Sequence, residues 1–381
     1  MFDVVVIGAG IAGSVLAERF ASNGKKVLVI ERRQHVAGNC HDEVDANGIL
    51  IHKYGPHLFH TDDAQIWDYL SRFTEWHLYH HRVKAVIDGK PVPIPFNLNT
   101  LREVFPQSLA DKLEAALLKN FGYGKKIPIL ELKKSDDSDL QFLADFVYEK
   151  IFLHYTEKQW GLSPDKISGA VTARVPVLIG RDDRYFGDRF QAMPRFGYTK
   201  LVQNMLAHKN IKLLLNTDFK EVMELRGDEI YLFRRKFKGR LIYTGQLDEL
   251  FDKKFGSLPY RSINMKYETV ETELFQSAPV VNYPNNYDFT RITEFKQIHP
   301  AQSPRTTILR EYPQEYVAGK NEPYYPVFTD EARAAYEKYS AELARLKNIT
   351  TVGRLAEYRY YDIDDVVKRA LDVFAELSVC N

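Results

Sequence analysis

The chain has 381 residues, 45% apolar and 27% charged, with a net charge of +1 and only two cysteines. Its length exceeds what one hydrophobic core usually organises, so two or three lobes are expected. The balanced charge gives no reason to expect nucleic acid or an acidic membrane as partner. Cys40 and Cys380 are too few for a disulfide framework and suit a reducing compartment. No run of about 18 apolar residues is present to span a membrane. The opening "MFDVVVIGAG" starts a strand at once, without a basic leader or cleavage site, so a cytoplasmic location is expected.

Residues 3–7 are β-branched and read as a buried strand, and 11–22 then show helical spacing. "NG" at 23–24 ends the helix, and "KVLVI" (26–30) reads as a second buried strand. Between strand and helix, Gly8, Gly10 and Gly13 form G-x-G-x-x-G. The first permits a tight turn, the second lets a pyrophosphate approach the backbone, and the third lets helix and strand pack closely. The helix N-terminus offers free N–H groups to a phosphate. Glu31 ends the second strand, where a carboxylate accepts hydrogen bonds from ribose hydroxyls. Strand, helix, strand and acid together predict a bound dinucleotide. The bland alternative, glycines serving only a tight turn, would leave Glu31 without a partner. The pattern runs on as "ERRQHVAGN", with Arg32, Gly38 and Asn39 as further cofactor-binding candidates. This continuation resembles FAD proteins of the amine-oxidase type, whose usual Gly-Gly is replaced here by Ala37-Gly38. No second glycine fingerprint follows, so a separate nicotinamide domain is not expected.

"KYGPHLFHTD" (53–62) places His57 and His60 three positions apart. Metal ligation, acid/base catalysis and packing against a flat ring all use such residues. Cys40, His41, His52, His57 and His60 lack C-x-x-C or H-x-x-x-H spacing, so no metal site is expected. Ordinary core or surface packing and a cofactor face remain.

"HKYGPHLFHT" followed by "IWDY" is similar to UDP-galactopyranose mutases. The resemblance continues in family order through "PFNLNT" (95–100), "YTEKQWG" (155–161), "ARVPV" (173–177), "DRYF" (183–186), "TRITE" (290–294), "EPYYPV" (322–327) and "GRLAEYRYYD" (353–362). It implies that His57 and Leu58 lie against a flavin and that His60 sits near both flavin and sugar. Gly55 and Pro56 then bend the chain so that its backbone can approach the flat ring.

The family architecture implies an α/β fold with a Rossmann-type FAD-binding domain, discontinuous over about 1–75, 195–250 and 345–381. "NIKLLLNTDFKEV" and "GRLIYTG" would supply its later strands. Residues 105–165 carry helical apolar spacing, as in "LADKLEAALLKNFG" and "LQFLADFVYEKIFLHY", and read as a small inserted helical lobe. Residues 76–104, 166–194 and 251–344 are expected to build an antiparallel β-sheet substrate domain, with a hairpin signal at "DGK". "KKSDDSD" (133–139) is the clearest loop, and "RRKFKGR" (234–240) reads as an exposed hairpin.

The activity implied by the resemblance is interconversion of a UDP-sugar between pyranose and furanose rings. Reduced FAD would act through a covalent N5–sugar adduct, and NAD(P)H is a candidate reductant. Arg174 and Arg291 match the family's arginine pair, whose guanidinium forks suit a pyrophosphate that gains charge as it leaves. Arg174, Arg291 and His60 are thus the catalytic candidates. Tyr155 and Trp160 match the uridine- and sugar-side aromatics. Tyr185, Tyr325 and Tyr360 match tyrosines near diphosphate and sugar, with Asp362 beside them, and Arg354 matches an FAD-contacting arginine. After "ARVPV" the chain departs from the family pattern at Leu178, Ile179, Gly180 and Arg181. The sugar therefore stays open among UDP-galactose, UDP-N-acetylgalactosamine and a dTDP-6-deoxysugar. An amine-oxidase-like flavin enzyme and a cofactor-free chaperone of prenylated GTPases share the fold and are the competing classes. The resemblance admits a homodimer, and the sequence itself sets no oligomeric state.

Overall fold

A computed structural model describes residues 2–161 and 176–379. Five parallel strands form the first sheet, in the order Ile211–Leu214, Val27–Ile30, Val4–Ile7, Arg240–Tyr243 and Ile349–Thr351. Their near-continuous Val/Ile/Leu runs reflect burial on both faces. One face, with Val4, Val6, Val27, Val29 and Ile242, packs on the helices Ile11–Ser22, Gly197–Leu206 and Ile363–Val379. The opposite face, with Val5, Ile7, Leu28, Ile30 and Leu241, packs on Met223 and Ile230 of a three-stranded meander and on Tyr339 of helix Asp330–Leu343. That helix falls within the 251–344 stretch expected for the substrate domain, yet its buried side is set by the parallel sheet. "RRKFKGR" supplies the third strand of the meander, Arg235–Phe237, and Phe233 and Arg234 form its turn in left-handed conformation.

The second sheet has seven strands, in the order Tyr325–Pro326, Tyr260–Val270, Thr306–Glu315, Arg291–Glu294, Val280–Asn282, Val83–Ile87 and Lys90–Ile94. Its pairings are antiparallel except between Val280–Asn282 and Val83–Ile87. Those two strands are far apart in sequence, so no hairpin dictates their direction. "DGK" turns the hairpin ending in Lys90–Ile94, whose Pro91 and Pro93 sit on the outer edge, where missing N–H groups cost no ladder bonds. Trp76–Leu78, also expected in this sheet, instead pairs with Phe190–Pro194, which pairs on its other side with Phe59–Thr61.

Within 105–165 the chain forms helices Gln107–Phe121, Ile129–Leu132 and Ser138–Val147, a π-helical turn Tyr148–Leu153, and helix His154–Trp160. "KKSDDSD" is loop only up to Asp137, whose carboxylate accepts the Asp139 N–H and starts the next helix. The lobe closes no core by itself. Leu113, Leu117, Leu140, Leu143 and Val147 share one with Val83, Ile87 and Val92 of the seven-stranded sheet. Among the described residues no helix is long and apolar enough to cross a membrane.

Candidate active site

At the carboxyl end of the parallel sheet, strand Val4–Ile7 turns into helix Ile11–Ser22 through Gly8–Gly10. The helix has no side-chain cap and no acid in its first turn, so its first N–H groups and positive dipole end are left for an anion. Gly13 lies beneath this cradle, where a Cβ would stand 2.0 Å from the Gly8 carbonyl oxygen. The second turn crosses the first so closely that a Cβ on Gly38 would lie 3.0 Å from Gly10 Cα. Ala37 adopts φ +72°.

Gly8, Gly10, Glu31, Arg32, Gly38, Asn39, His57 and Arg354 line one cavity. Glu31 is not idle even without a ribose. Its carboxylate accepts the Ala9 N–H at 2.8 Å and the Arg33 N–H at 2.9 Å, so an unpartnered acid was the wrong consequence to expect from the turn-only reading. Its remaining lone pairs border the cavity. Arg32 forms a half-exposed ion pair with Glu322, at 2.7 Å. Arg33, not foreseen, bonds Glu322 at 2.6 Å and Asn39 at 3.0 Å while its guanidinium stacks on Tyr54. A backbone-lined trough at a helix N-terminus, with a carboxylate beyond it, fits a dinucleotide.

The cavity continues past His57, Arg354 and Asp362 into a second cleft. Gly55 turns the chain there at φ +89°, and a Cβ would press on Met265 Cε at 3.1 Å. His57 Nδ1–H donates to the Gly55 carbonyl at 2.8 Å, and its backbone N–H donates to His52 Nδ1 at 3.0 Å. His52 Nε2 is therefore the protonated nitrogen and donates to His299 Nε2 at 3.1 Å. Burial, reinforced by Arg354 and Arg291, pulls His57 down to about 4. It is neutral and spends its donor on its own loop. No group of three or more His, Cys, Asp or Glu that could hold a metal occurs among the described residues.

Leu58, His60, Tyr155, Tyr185, Arg291, Tyr325, Tyr360 and Asp362 line the cleft with His57 and Arg354. His60 stacks on Phe186 at 3.6 Å and lies 3.2 Å from Asp188 Oδ2. Tyr325 and Tyr360 are parallel at 6.0 Å, and Arg354 sits over both rings. Trp160 stands behind the lining, 5.9 Å from Tyr325. Arg174 lies outside the described residues. Burial raises the Tyr155 phenol and, with smaller opposing effects, that of Tyr325, so both stay protonated donors at neutral pH.

Arg291 is a cleft-lining cation paired with a fully buried carboxylate. Its side chain is 25% exposed, and its Nε donates to Glu311 Oε1 at 2.7 Å. Glu311 is 0% exposed, and its Oε2 has no partner. Burial works against the guanidinium charge, but Glu311 with Tyr155 and Tyr325 together outweigh it and hold Arg291 well above its ordinary value. The pair sits directly cross-strand, Arg291 opposite Glu311. Sequence reading missed Glu311 because its partner is twenty residues away and only sheet register joins them. His81, also missed, is buried in the cleft, and burial, reinforced by Arg291 and His60, pushes it down to about 3.

The profile of the family described as UDP-galactopyranose mutase matches residues 150–360, and that of an NAD(P)-binding Rossmann-like domain matches 6–73. A probable UDP-galactopyranose mutase of Klebsiella pneumoniae is 34% identical over 385 aligned residues, covering 100% of this chain and 96% of the relative. A dTDP-fucopyranose mutase of Escherichia coli is 33% identical over 385, covering 100% and 99%. In fold, the chain is similar to a crystal structure of reduced UDP-galactopyranose mutase, with a TM-score of 0.75, 16% identity, and coverage of 100% and 96%.

Proposed function

The chain belongs to the UDP-galactopyranose mutase family of isomerases, and from that premise we propose that it interconverts the pyranose and furanose rings of UDP-galactose with reduced FAD as cofactor. The observation that carries this reading is the Arg291–Glu311 pair, set in a tyrosine-lined cleft that opens onto the dinucleotide cradle. A hydride-transferring oxidase has no need of a part-buried cation held for a leaving pyrophosphate.

The cradle of Gly8, Gly10 and Gly38 holds the cofactor pyrophosphate, with Glu31 at the ribose and Arg32 and Asn39 nearby. His57, Leu58 and Arg354 border the ring end. When bound and reduced, the flavin supplies a nucleophilic nitrogen, which the cleft's own side chains do not offer. Arg291 holds the substrate pyrophosphate, and Glu311 fixes its fork so that little reorganisation is needed as charge grows on the departing phosphate. Arg174 is proposed as the second cation. Tyr155 and Trp160 hold the uridine and sugar-side faces, while Tyr185, Tyr325 and Tyr360 donate to phosphate and sugar oxygens. His60, steadied by Phe186 and Asp188, is placed to take or return a proton as the sugar ring opens. NAD(P)H is the proposed reductant, a homodimer the proposed assembly, and cytoplasmic supply of a furanose for cell-surface glycan the proposed setting.

A second reading, the same chemistry on a dTDP-6-deoxysugar, gains weight from the Escherichia coli relative, whose identity nearly equals that of the Klebsiella one. UDP-N-acetylgalactosamine is the third candidate. Dithionite-reduced protein incubated with UDP-galactofuranose, UDP-N-acetylgalactosamine and dTDP-fucose, followed by chromatographic separation, decides among them. Fastest ring interconversion of UDP-galactose supports the first reading. Exclusive turnover of the dTDP-sugar moves the assignment to the second, and turnover of none removes the proposal.

A further inference from the structure

Helix His154–Trp160 carries Tyr155 into the cleft, but Lys158 on the same helix is not part of the cleft wall. Its half-buried ammonium donates to three backbone carbonyls: Tyr283 at 2.5 Å, Phe289 at 3.0 Å and Tyr287 at 3.1 Å. All three belong to the loop that joins strand Val280–Asn282 to strand Arg291–Glu294. Its neck is closed by the Tyr283 N–H donating to the Thr290 carbonyl at 2.8 Å. The rings of Tyr283, Tyr287 and Phe289 pack on one another at 4.8–5.5 Å. Three converging carbonyls form the kind of cage that a small cation fills, and an ammonium with three N–H donors matches it one for one. Burial pulls Lys158 down to about 8 and the nearby Asp288 opposes this, so the group is still charged at neutral pH.

What the cage adjoins gives it a consequence. The residue after Thr290 is Arg291, and Thr290 is fixed in turn by its N–H and hydroxyl donating to the Glu311 carbonyl. From the other side, Arg261 donates to the carbonyls of Gln159 at 3.2 Å and Lys158 at 3.4 Å, clamping the end of the helix. We propose that Lys158 is a positioning residue whose ammonium fills this carbonyl cage and so fixes Arg291 relative to Tyr155. A merely solvated surface lysine would need no such convergence. The inference rests on the cleft being a nucleotide-sugar site.

The test uses flavin-loaded protein and two readouts: hydrogen–deuterium exchange over residues 281–292, and affinity for UDP. In Lys158→Ala the loop should exchange about tenfold faster and UDP binding should weaken about tenfold, with flavin content unchanged. Propylammonium chloride should reverse both effects by refilling the cage, whereas sodium chloride should not. Lys158→Met, which keeps the aliphatic stem, should show the same losses without rescue and so separates charge from packing. Unchanged exchange, faster exchange with wild-type UDP affinity, or losses that propylammonium leaves in place would each overturn the proposal. If wild-type protein fails to bind UDP, the nucleotide-sugar reading falls by itself, while the exchange arm still decides whether Lys158 fills the cage.

Discussion

The proposed cofactor cradle is made of backbone, and the cleft beside it is made of side chains. The cradle comes from one contiguous stretch, Gly8 to Asn39, and works because atoms are missing: a Cβ at Gly13 or Gly38 meets backbone at once. The cleft gathers His57, Tyr155, Arg291, Glu311, Tyr325 and Asp362 from distant parts of the chain. Its central pair exists only because two strands meet in one register. A backbone site is thus fragile to added bulk, and a side-chain site to lost charge or lost alignment. Substitutions in the two regions should therefore fail differently.

The largest effect is expected at Gly10. A Cβ there clears its nearest neighbour, Gly38 Cα, at 3.8 Å, so the fold accepts it, but the branches of Gly10→Val enter the space for a pyrophosphate. Flavin absorbance of the purified variant should be lost while circular dichroism stays native. Gly13→Ala, which drives a Cβ into the Gly8 carbonyl, should instead destabilise the domain itself.

Next comes the cleft. Arg291→Ala should keep the flavin and lose about 10²–10³-fold in kcat, the scale of removing one donor to a developing anion. It also leaves Glu311 buried and uncompensated, at a cost of about 3–5 kcal/mol. Arg291→Ala/Glu311→Gln should recover much of the melting temperature without recovering turnover. Arg291→Lys keeps the charge but loses the fork, so steady-state kinetics should fall between the two.

Acid should weaken the region where cradle and cleft meet. Burial lowers His57 to about 4, His81 to about 3 and His299 to about 4, against 6.5 for an ordinary histidine, and His52 falls well below that value too. Between those values the unfolded chain binds more protons than the folded one. Stability is therefore full above about pH 6.5 and is lost as pH falls towards 4, by on the order of a few kcal/mol. Urea unfolding between pH 7 and 4 should show this drop, and His299→Phe should flatten it.

The smallest effect belongs to Ala37. Its φ of +72° strains a residue with a Cβ, so Ala37→Gly should stabilise the loaded protein by about 1 kcal/mol, read as a higher melting temperature.

These contrasts also mark what could be read from the sequence. The βαβ unit was legible because turn, helix start and buried strands are local signals, and Asn23–Gly24 end the first helix where expected. The cleft was legible only as separate motifs recognised through resemblance. Glu311, His81 and His299 carry no local signature, and Lys158 and His52 sit in motifs that do not reveal their partners, since cross-strand register or loop packing creates each contact. The helical stretch was correctly periodic, but its sharing of a core with the sheet depends on tertiary packing that periodicity does not encode.

In the proposed function, one dinucleotide cradle serves a ring isomerisation with no net redox change. The direct measurement is products formed per electron pair supplied, with matched oxidised and reduced protein acting on UDP-galactofuranose under anaerobic conditions. Oxidised protein should give no turnover, and reduced protein should form many products per reducing equivalent. One reductant consumed per product, or equal turnover by both forms, would overturn the proposed mutase activity.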